Sequence, residues 1–408
     1  FTALEIRFPG GASLDPEGQG GAVSLMTALL EEGTGALDAR AFAAAAEGLA
    51  ASFGFSAGRD AVSVSARFLT ENRDEAVELL RGALVAPRLD PEALERVRAQ
   101  TLATIRADAR NPRDIAARQF DALAFPDHPY GRPVIGTEDS VAALTREDLR
   151  AAHGAALSRD RVQVVAVGDI GPEALGAVVD RLLGDLPERG AALPDRAEPA
   201  LTGGISVVPF PGPQATMIFG HAGIHRDDPD FFAAFVLSEI LGGGRFSARL
   251  MTEVRDRRGL TYGIGAQLSG RQLADLVTGS VQTANATAAE TIAVIRAEWA
   301  RLAQEGITAA ELEATRTYLT GAFPLRFDGN ARIAQILAAF KMQGLPPGYV
   351  AARNALVEAV TLEDANRVAR RLFDPDALHF VVVGMPEDIT EGPFLAPAGS
   401  GGPGEGDG

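Results

Sequence analysis

The chain has 408 residues, 46% of them hydrophobic and 23% charged, with five histidines, no cysteine and a net charge of −16. That length suits two cores of about 200 residues better than one, and no apolar run is long enough to span a bilayer, so membrane insertion is not expected. The acidic balance argues against a nucleic-acid partner, while the missing cysteines exclude disulfides, thiolate metal sites and a cysteine nucleophile.

In chain order, the first clear element is a strand in which Val62, Val64, Ala66 and Phe68 alternate as a half-buried surface requires. It ends in Thr70-Glu71-Asn72 and leads into an apolar helix. Leu89 precedes a helix through Leu94, Glu95 and Arg98. Thr145 reads as the N-cap of a helix with Glu147 and Asp148 in its first turn, and a strand over 162–167 follows, closed by Gly168. The series then returns. Val277 to Val281 leads into Thr283-Ala284-Asn285 at an offset of 213, and Ile307, Leu312, Glu313 and Arg316 repeat the next helix at 218. Thr361, Glu363 and Asp364 repeat the capped helix at 216, with Gly384 closing the strand over 380–383. Landmarks that recur in one order at nearly one offset mark a tandem duplication.

A proline- and glycine-rich stretch over 187–204 is the linker between the copies. The expected organisation is therefore an N-terminal half 1–186, the linker 187–204, a C-terminal half 205–391 and a disordered tail 392–408, the last rich in glycine with nothing to bury. Within each half hairpin-like strands precede helices that pack on one face, the layer pattern of an α+β fold. Thr2 matches Thr216, which a strand over 205–208 precedes. The first half thus lacks its opening strand in this sequence, and the full gene product is expected to encode it upstream of Phe1.

Gly20 to Thr34, GGAVSLMTALLEEGT, resembles the zinc-site helix of the pitrilysin/insulinase family of inverted-zincin peptidases, which carries His-x-x-Glu-His followed by a Gly-Thr exit. On that helix two histidines four apart bind zinc and the glutamate activates water. The resemblance places the ligand positions at Ser24 and Ala28, the base position at Thr27, and the third, later ligand at Thr104. All four functional residue types are missing together. Independently of the family, no histidine occurs before His128, so the early helices could offer zinc only carboxylates and water. Residues 125–131, FPDHPYG, look like a family landmark, in which His128 reads as a structural or turn residue. His221 and His225 are four apart but lie at a strand end and turn, where helical spacing has no metal-binding meaning.

The second half keeps a sharper motif. Leu241 to Gly263, LGGGRFSARLMTEVRDRRGLTYG, is similar to the family's glycine loop, helix and Arg/Tyr pair. Ser247 or Thr252 is expected on the helix, Gly259 in the left-handed position after its last turn, Arg255 at its end, and Tyr262 opening the next strand. The family uses this Arg and Tyr to bind the substrate backbone and stabilise an oxyanion across a clamshell from the zinc, for which a fixed guanidinium and phenol are suited. Arg255 paired at the surface with Asp256 or Glu253, and Tyr262 as a plain strand aromatic, is the structural alternative. Gly242, Gly243 and Gly244 are either substrate-facing backbone or a permissive loop. Arg257 reads as an ordinary surface arginine.

The resemblance implies two α/β-roll halves, each a mostly antiparallel sheet with helices on one face, together forming half of a clamshell. It also implies the non-metal (R/Y-type) subunit of a heteromeric zinc metallopeptidase, not a zinc peptidase by itself. Arg255 and Tyr262 would act in trans on an unfolded peptide. The zinc would sit in a homologous partner with an intact His-x-x-Glu-His motif, and this chain would hold no cofactor. The alternative is a catalytically inert structural or peptide-binding member. A soluble periplasmic location is expected from exported bacterial relatives, with the cytoplasm as the other option. Dialysed chain should accordingly hold no stoichiometric zinc, and histidines placed at 24 and 28 alone should create no peptidase. About one tightly held zinc per chain in elemental analysis would contradict this.

Overall fold

A computed structural model describes residues 1–389; the expected tail over 392–408 lies outside the described residues. The described residues contain eleven strands: β1 (Thr2–Pro9), β2 (Gly33–Thr34), β3 (Leu37–Asp38), β4 (Ser52–Ala57), β5 (Ala61–Phe68), β6 (Gln163–Gly168), β7 (Gly204–Pro209), β8 (Gln214–Ala222), β9 (Ile264–Gly270), β10 (Asp275–Ala284) and β11 (His379–Gly384). The chain divides into two compact units.

Unit 1 comprises 1–106, 132–195 and 324–349. Its main sheet has the order β4-β5-β1-β6 and is antiparallel throughout. Because side chains alternate across a strand, Leu4, Ile6 and Phe8 of β1 share one face with Val62, Val64 and Ala66 of β5, opposite which they pair. That face packs on the helices Ala22–Ala28, Arg73–Val85 and Arg146–Ala156 through Val23, Leu80 and Leu149. Thr145 caps the last of these, its hydroxyl accepting from the Asp148 amide at 3.2 Å, as the sequence anticipates.

Unit 2 comprises 107–131, 196–323 and, among the described residues, 350–389. Its sheet has the order β7-β11-β8-β10-β9, antiparallel except for the parallel pair β7 and β11. β4, β5, β1 and β6 correspond to β9, β10, β8 and β11; β7 has no counterpart in unit 1 among the described residues. Thr361 repeats the cap, accepting from the Asp364 amide at 3.0 Å. Residues 187–203 form neither helix nor strand.

Relative to the expected halves, each unit includes one segment from the other half. The helix Pro112–Ala124, from the first half, covers β8 and β11 in unit 2; its sequence counterpart Asn330–Met342 covers β1 and β6 in unit 1. Apolar periodicity announces that such a helix will bury a stripe, but carries no label for the sheet that receives it. Each sheet consequently has its main helical layer on one face and a single helix on the other, an addition to the expected one-sided packing. In unit 2 the second face joins Val208, Val381 and Leu276 to Ile115, Ala116 and Phe120. Gly220 makes room for Phe120, whose ring tip would lie 3.0 Å from a β-carbon there. The 125–131 landmark finishes the same layer: Phe125 and Tyr130 are fully buried, and the Tyr130 phenol accepts from the Leu273 amide at 2.9 Å. His128 is a turn residue, its Nδ1 accepting from the Tyr130 amide at 3.1 Å.

His221 is a core residue at the end of β8. Its Nε2 accepts from Trp299 Nε1 at 3.1 Å, so Nδ1 carries the proton and donates to the Ala222 carbonyl at 2.7 Å. Burial pushes its pKa below the ordinary histidine value, against the carbonyl hydrogen bond. The unfolded chain takes up a proton near pH 6.5 while the folded ring resists it. Stability from this group is therefore whole above about pH 6.5 and is lost as pH falls through the lowered folded value, at up to about 1.4 kcal/mol per pH unit between the two. Trp299 is the only tryptophan, so its fluorescence during urea unfolding reports on the pair. The transition midpoint should fall more steeply between pH 7 and pH 5 in the wild type than in His221→Gln; parallel slopes would contradict the assignment.

Candidate functional site

The helix Ala22–Ala28 is short and positioned by its N-terminal end. The buried Asp15 carboxylate accepts from the Gly21 amide at 2.7 Å and the Val23 amide at 2.8 Å, two of the donors a helix start leaves open. Burial pushes the Asp15 pKa up to about 6, against those two bonds. Gly21 has φ +91°, and a β-carbon there would meet the Ile135 carbonyl oxygen at 2.6 Å, so the approach requires glycine. Ser24 and Ala28 lie half-buried one helical turn apart, and Thr27 is buried with its hydroxyl donating to the Val23 carbonyl at 2.7 Å. Thr104 is exposed on the helix Pro91–Asp108, its hydroxyl donating to the Gln100 carbonyl at 3.2 Å. Ala28 has no ligand atom, and both threonine hydroxyls serve helix carbonyls. These four residues do not fit a zinc ion. Among the described residues, no group of three or more His, Cys, Asp or Glu side chains could hold a metal.

The Leu241–Gly263 segment, in unit 2, is built differently. Gly242 ends the helix Phe231–Gly242 and is buried; a β-carbon on it would lie 2.4 Å from the Ala266 amide nitrogen in β9. Gly243 is also buried and crowded by Glu239, whereas Gly244 is exposed with open space around it. Ser247 lies in a turn before the following helix rather than on it. Thr252 does lie on that helix, whose Met251–Asp256 portion is a π-helix, with the Arg257 amide reaching the Thr252 carbonyl at 3.0 Å. π-turns carry one extra residue per turn and occur frequently at functional sites. Gly259 has φ +64°, the left-handed position the sequence indicates. Around it the Gly259 amide donates to the Arg255 carbonyl at 2.9 Å and the Leu260 amide to the Val254 carbonyl at 3.0 Å. That closure is one residue wider than the usual Schellman motif, as a π-turn demands.

Arg255 sits one residue before the π-helix ends. Its Nη1 bonds Asp256 Oδ1 at 3.1 Å, and its guanidinium lies 5.1 Å from the Phe246 ring centroid. The surface pairing with Asp256 is thus real; the pairing with Glu253 belongs to other arginines. Glu253 is buried, with Oε1 accepting from Arg257 at 2.8 Å and Oε2 from Arg258 at 2.7 Å. The Arg258 hydrogen bond holds the Glu253 pKa below its ordinary value. Arg257 is therefore a partner of a buried carboxylate and not the plain surface residue its sequence suggests. Tyr262 precedes β9, which begins at Ile264, and is 94% exposed; it lies in the loop rather than opening the strand. Sequence reasoning missed Phe246 beneath Arg255, Glu253 beneath Arg257 and Arg258, and Thr283, whose hydroxyl donates to the Leu260 carbonyl at 2.7 Å. The one legible signal was Thr283, a polar residue where the strand's alternation points inward.

His225 is exposed, its Nδ1 accepting from the Asp227 amide at 3.2 Å, in a turn after His221. The two histidines do not form a ligand pair: His221 has both ring nitrogens engaged in the core.

Residues 1–138 match the insulinase, or peptidase M16, family, and residues 143–319 match the peptidase M16 inactive domain. The chain is 25% identical over 381 residues to the non-peptidase homolog YmxG of Helicobacter pylori, covering 93% of this chain and 88% of that protein. It is 29% identical over 316 residues to an uncharacterized zinc protease of Mycobacterium leprae, covering 76% and 70%. A solved peptidase M16 inactive domain from Pseudomonas fluorescens superposes with a TM-score of 0.88 at 28% identity, covering 97% of this chain and 93% of that one. A protease from Helicobacter pylori shares the fold at a TM-score of 0.85 and 19% identity, covering 94% and 93%. The chain belongs to the insulinase family of peptidases, family M16, as an inactive-type member.

Proposed function

We propose that this chain is the non-metal subunit of a heteromeric zinc metallopeptidase, completing the active site of a homologous partner and closing a peptide-binding chamber. The partner carries the intact His-x-x-Glu-His motif and the zinc, and the substrate is an unfolded peptide. The observation that carries this reading is Tyr262: its ring is 94% exposed, yet its loop leaves a hydrogen-bonded π-turn at the left-handed Gly259. Ordering an exposed aromatic has an entropic cost and gains little burial in the chain alone. A phenol held ready for charge that develops on a bound substrate accounts for it. Arg255, seven residues earlier, supplies a guanidinium for the substrate backbone. No helix among the described residues is long and apolar enough to cross a membrane; the periplasm is the proposed compartment.

A second reading, a catalytically inert structural or peptide-binding member, is favoured by the engagement of Arg255 with Asp256 and Phe246. The printed name of the Helicobacter pylori relative, a non-peptidase homolog, points the same way. The two readings differ in what a single oxygen atom does. In the mixed complex Tyr262→Phe should slow peptide turnover by about 10²–10³, with assembly and partner zinc content unchanged. Arg255→Ala should weaken both substrate binding and turnover, because a guanidinium holds substrate before the transition state as well. Arg150, which pairs only with the exposed Glu147 among its described ion pairs, is the control, and its replacement by alanine should be nearly silent. Turnover by Tyr262→Phe within twofold of wild type, with the complex intact, would favour the inert member.

A further inference from the structure

The loop that carries Tyr262 is anchored from below by a chain of threonine hydroxyls. Thr283, near the end of β10, is buried, and its Oγ1 donates to the Leu260 carbonyl at 2.7 Å, two residues before Tyr262. A hydroxyl has one proton and two acceptor sites. With the Thr283 proton committed to Leu260, its 2.7 Å contact with Thr287 is made by the Thr287 hydroxyl. Thr291, fully buried one turn further along the helix Ala288–Glu305, donates to the Thr287 carbonyl at 2.8 Å and sits 3.2 Å from Thr283 Oγ1. The loop is closed locally as well, the Gly263 amide donating to Thr261 Oγ1 at 3.1 Å.

Leu260 is therefore held at both ends of its peptide unit: its amide by Val254 and its carbonyl by Thr283. The Thr283 bond fixes the loop where it leaves the π-turn. In the first repeat the turn Thr70–Asn72 answers to Asn285–Thr287, which puts the buried Phe68 where Thr283 stands, so the duplication does not by itself require a hydroxyl there. Burying the Thr283 and Thr291 hydroxyls beneath one carbonyl has a desolvation cost that ordinary strand packing does not impose.

We infer that Thr283 is a positioning residue for Tyr262: its hydroxyl fixes the Leu260 carbonyl and so sets where the phenol stands relative to the partner's substrate. This rests on the proposed role of Tyr262 for its catalytic consequence and on the hydrogen-bond network alone for its structural one. Displacing a reacting group by about 1 Å from a distance can cost on the order of 100-fold in rate.

Thr283→Val keeps the shape and removes the hydroxyl, while Thr283→Ser restores it. Val368→Ala, a core truncation elsewhere in unit 2, controls for general loss of stability. In hydrogen exchange on the full chain, Thr283→Val should speed exchange of the Leu260 to Gly263 amides at least about 10-fold beyond Val368→Ala, by release of a local closure, and Thr283→Ser should return it towards wild type. In the complex with the zinc-bearing homologue, assayed on a fluorogenic unfolded peptide, Thr283→Val should lower kcat about 10- to 100-fold with little change in KM. In a Tyr262→Phe background the same change should have almost no further effect. Unaltered loop exchange in Thr283→Val overturns the inference whatever the kinetics. Faster exchange with undiminished kcat, while Tyr262→Phe is slow, overturns the positioning role. If Tyr262→Phe itself is fully active, the proposed function and its catalytic corollary fall, and the exchange result decides the anchor alone.

Discussion

Both faces of the five-stranded sheet are apolar, and covering the second face is the constraint on which unit 2 depends. Val208, Val381 and Leu276 point away from the main helical layer and are closed off by Ile115 and Phe120 of the helix Pro112–Ala124. Burying each large apolar side chain is worth about 1.5–3 kcal/mol, a large share of the 5–15 kcal/mol that separates a typical folded domain from its unfolded chain. The layer is also fitted: Gly220 admits the Phe120 ring, and Arg271 lies over Phe125 and Tyr130 while bonding Asp121 at 2.5 Å. The residues that look like a family landmark in the first half are thus structural parts of the second unit.

The segment that resembles the zinc-site helix and the one that carries Arg255 and Tyr262 differ in the use of their polar atoms. At the positions that resemble the family's zinc site, every hydroxyl with a described bond is turned back onto its own helix, as with Thr27 on Val23 and Thr104 on Gln100. Around Arg255 and Tyr262 the polar atoms are spent on a frame. Glu253 draws in Arg257 and Arg258, the π-turn closes on Gly259, and Thr283 holds Leu260. The first segment is a helix with no ligand set for zinc, whereas the second is a bonded support for the half-buried Arg255 and the exposed Tyr262. The proposed role in trans rests on this contrast.

Much of the fold was legible because duplication doubles each signal. Thr145 and Thr361 are caps where the sequence puts them, and the strands over 162–167 and 380–383 are β6 and β11. The exchanged helices were not legible, since periodicity names a buried stripe and not the surface that buries it. At the site, glycine positions were legible by conformation and not by role. Gly259 needs its left-handed backbone, but Gly242 is there for the Ala266 backbone, and of Gly242, Gly243 and Gly244 the last alone faces open space. The pairing of Glu253 with Arg257 and Arg258 rather than Arg255, and the contact of Phe246 with Arg255, escaped notice because an ion pair within a helix and a stacked arginine leave no spacing that distinguishes them from surface residues. The start of β9 at Ile264 rather than at Tyr262 follows from the loop closure around Thr261, which takes up the Gly263 amide before pairing with β10 begins.

The central claim is that catalysis needs two chains, one with the metal and one with the Arg/Tyr pair. Its most direct test is reconstitution: cleavage of an unfolded peptide by this chain, by the homologue with an intact His-x-x-Glu-His motif, and by their equimolar mixture, with zinc measured in each. The account predicts zinc only in the homologue and cleavage that appears, or rises by orders of magnitude, only in the mixture. A homologue as active alone as in the mixture would contradict it.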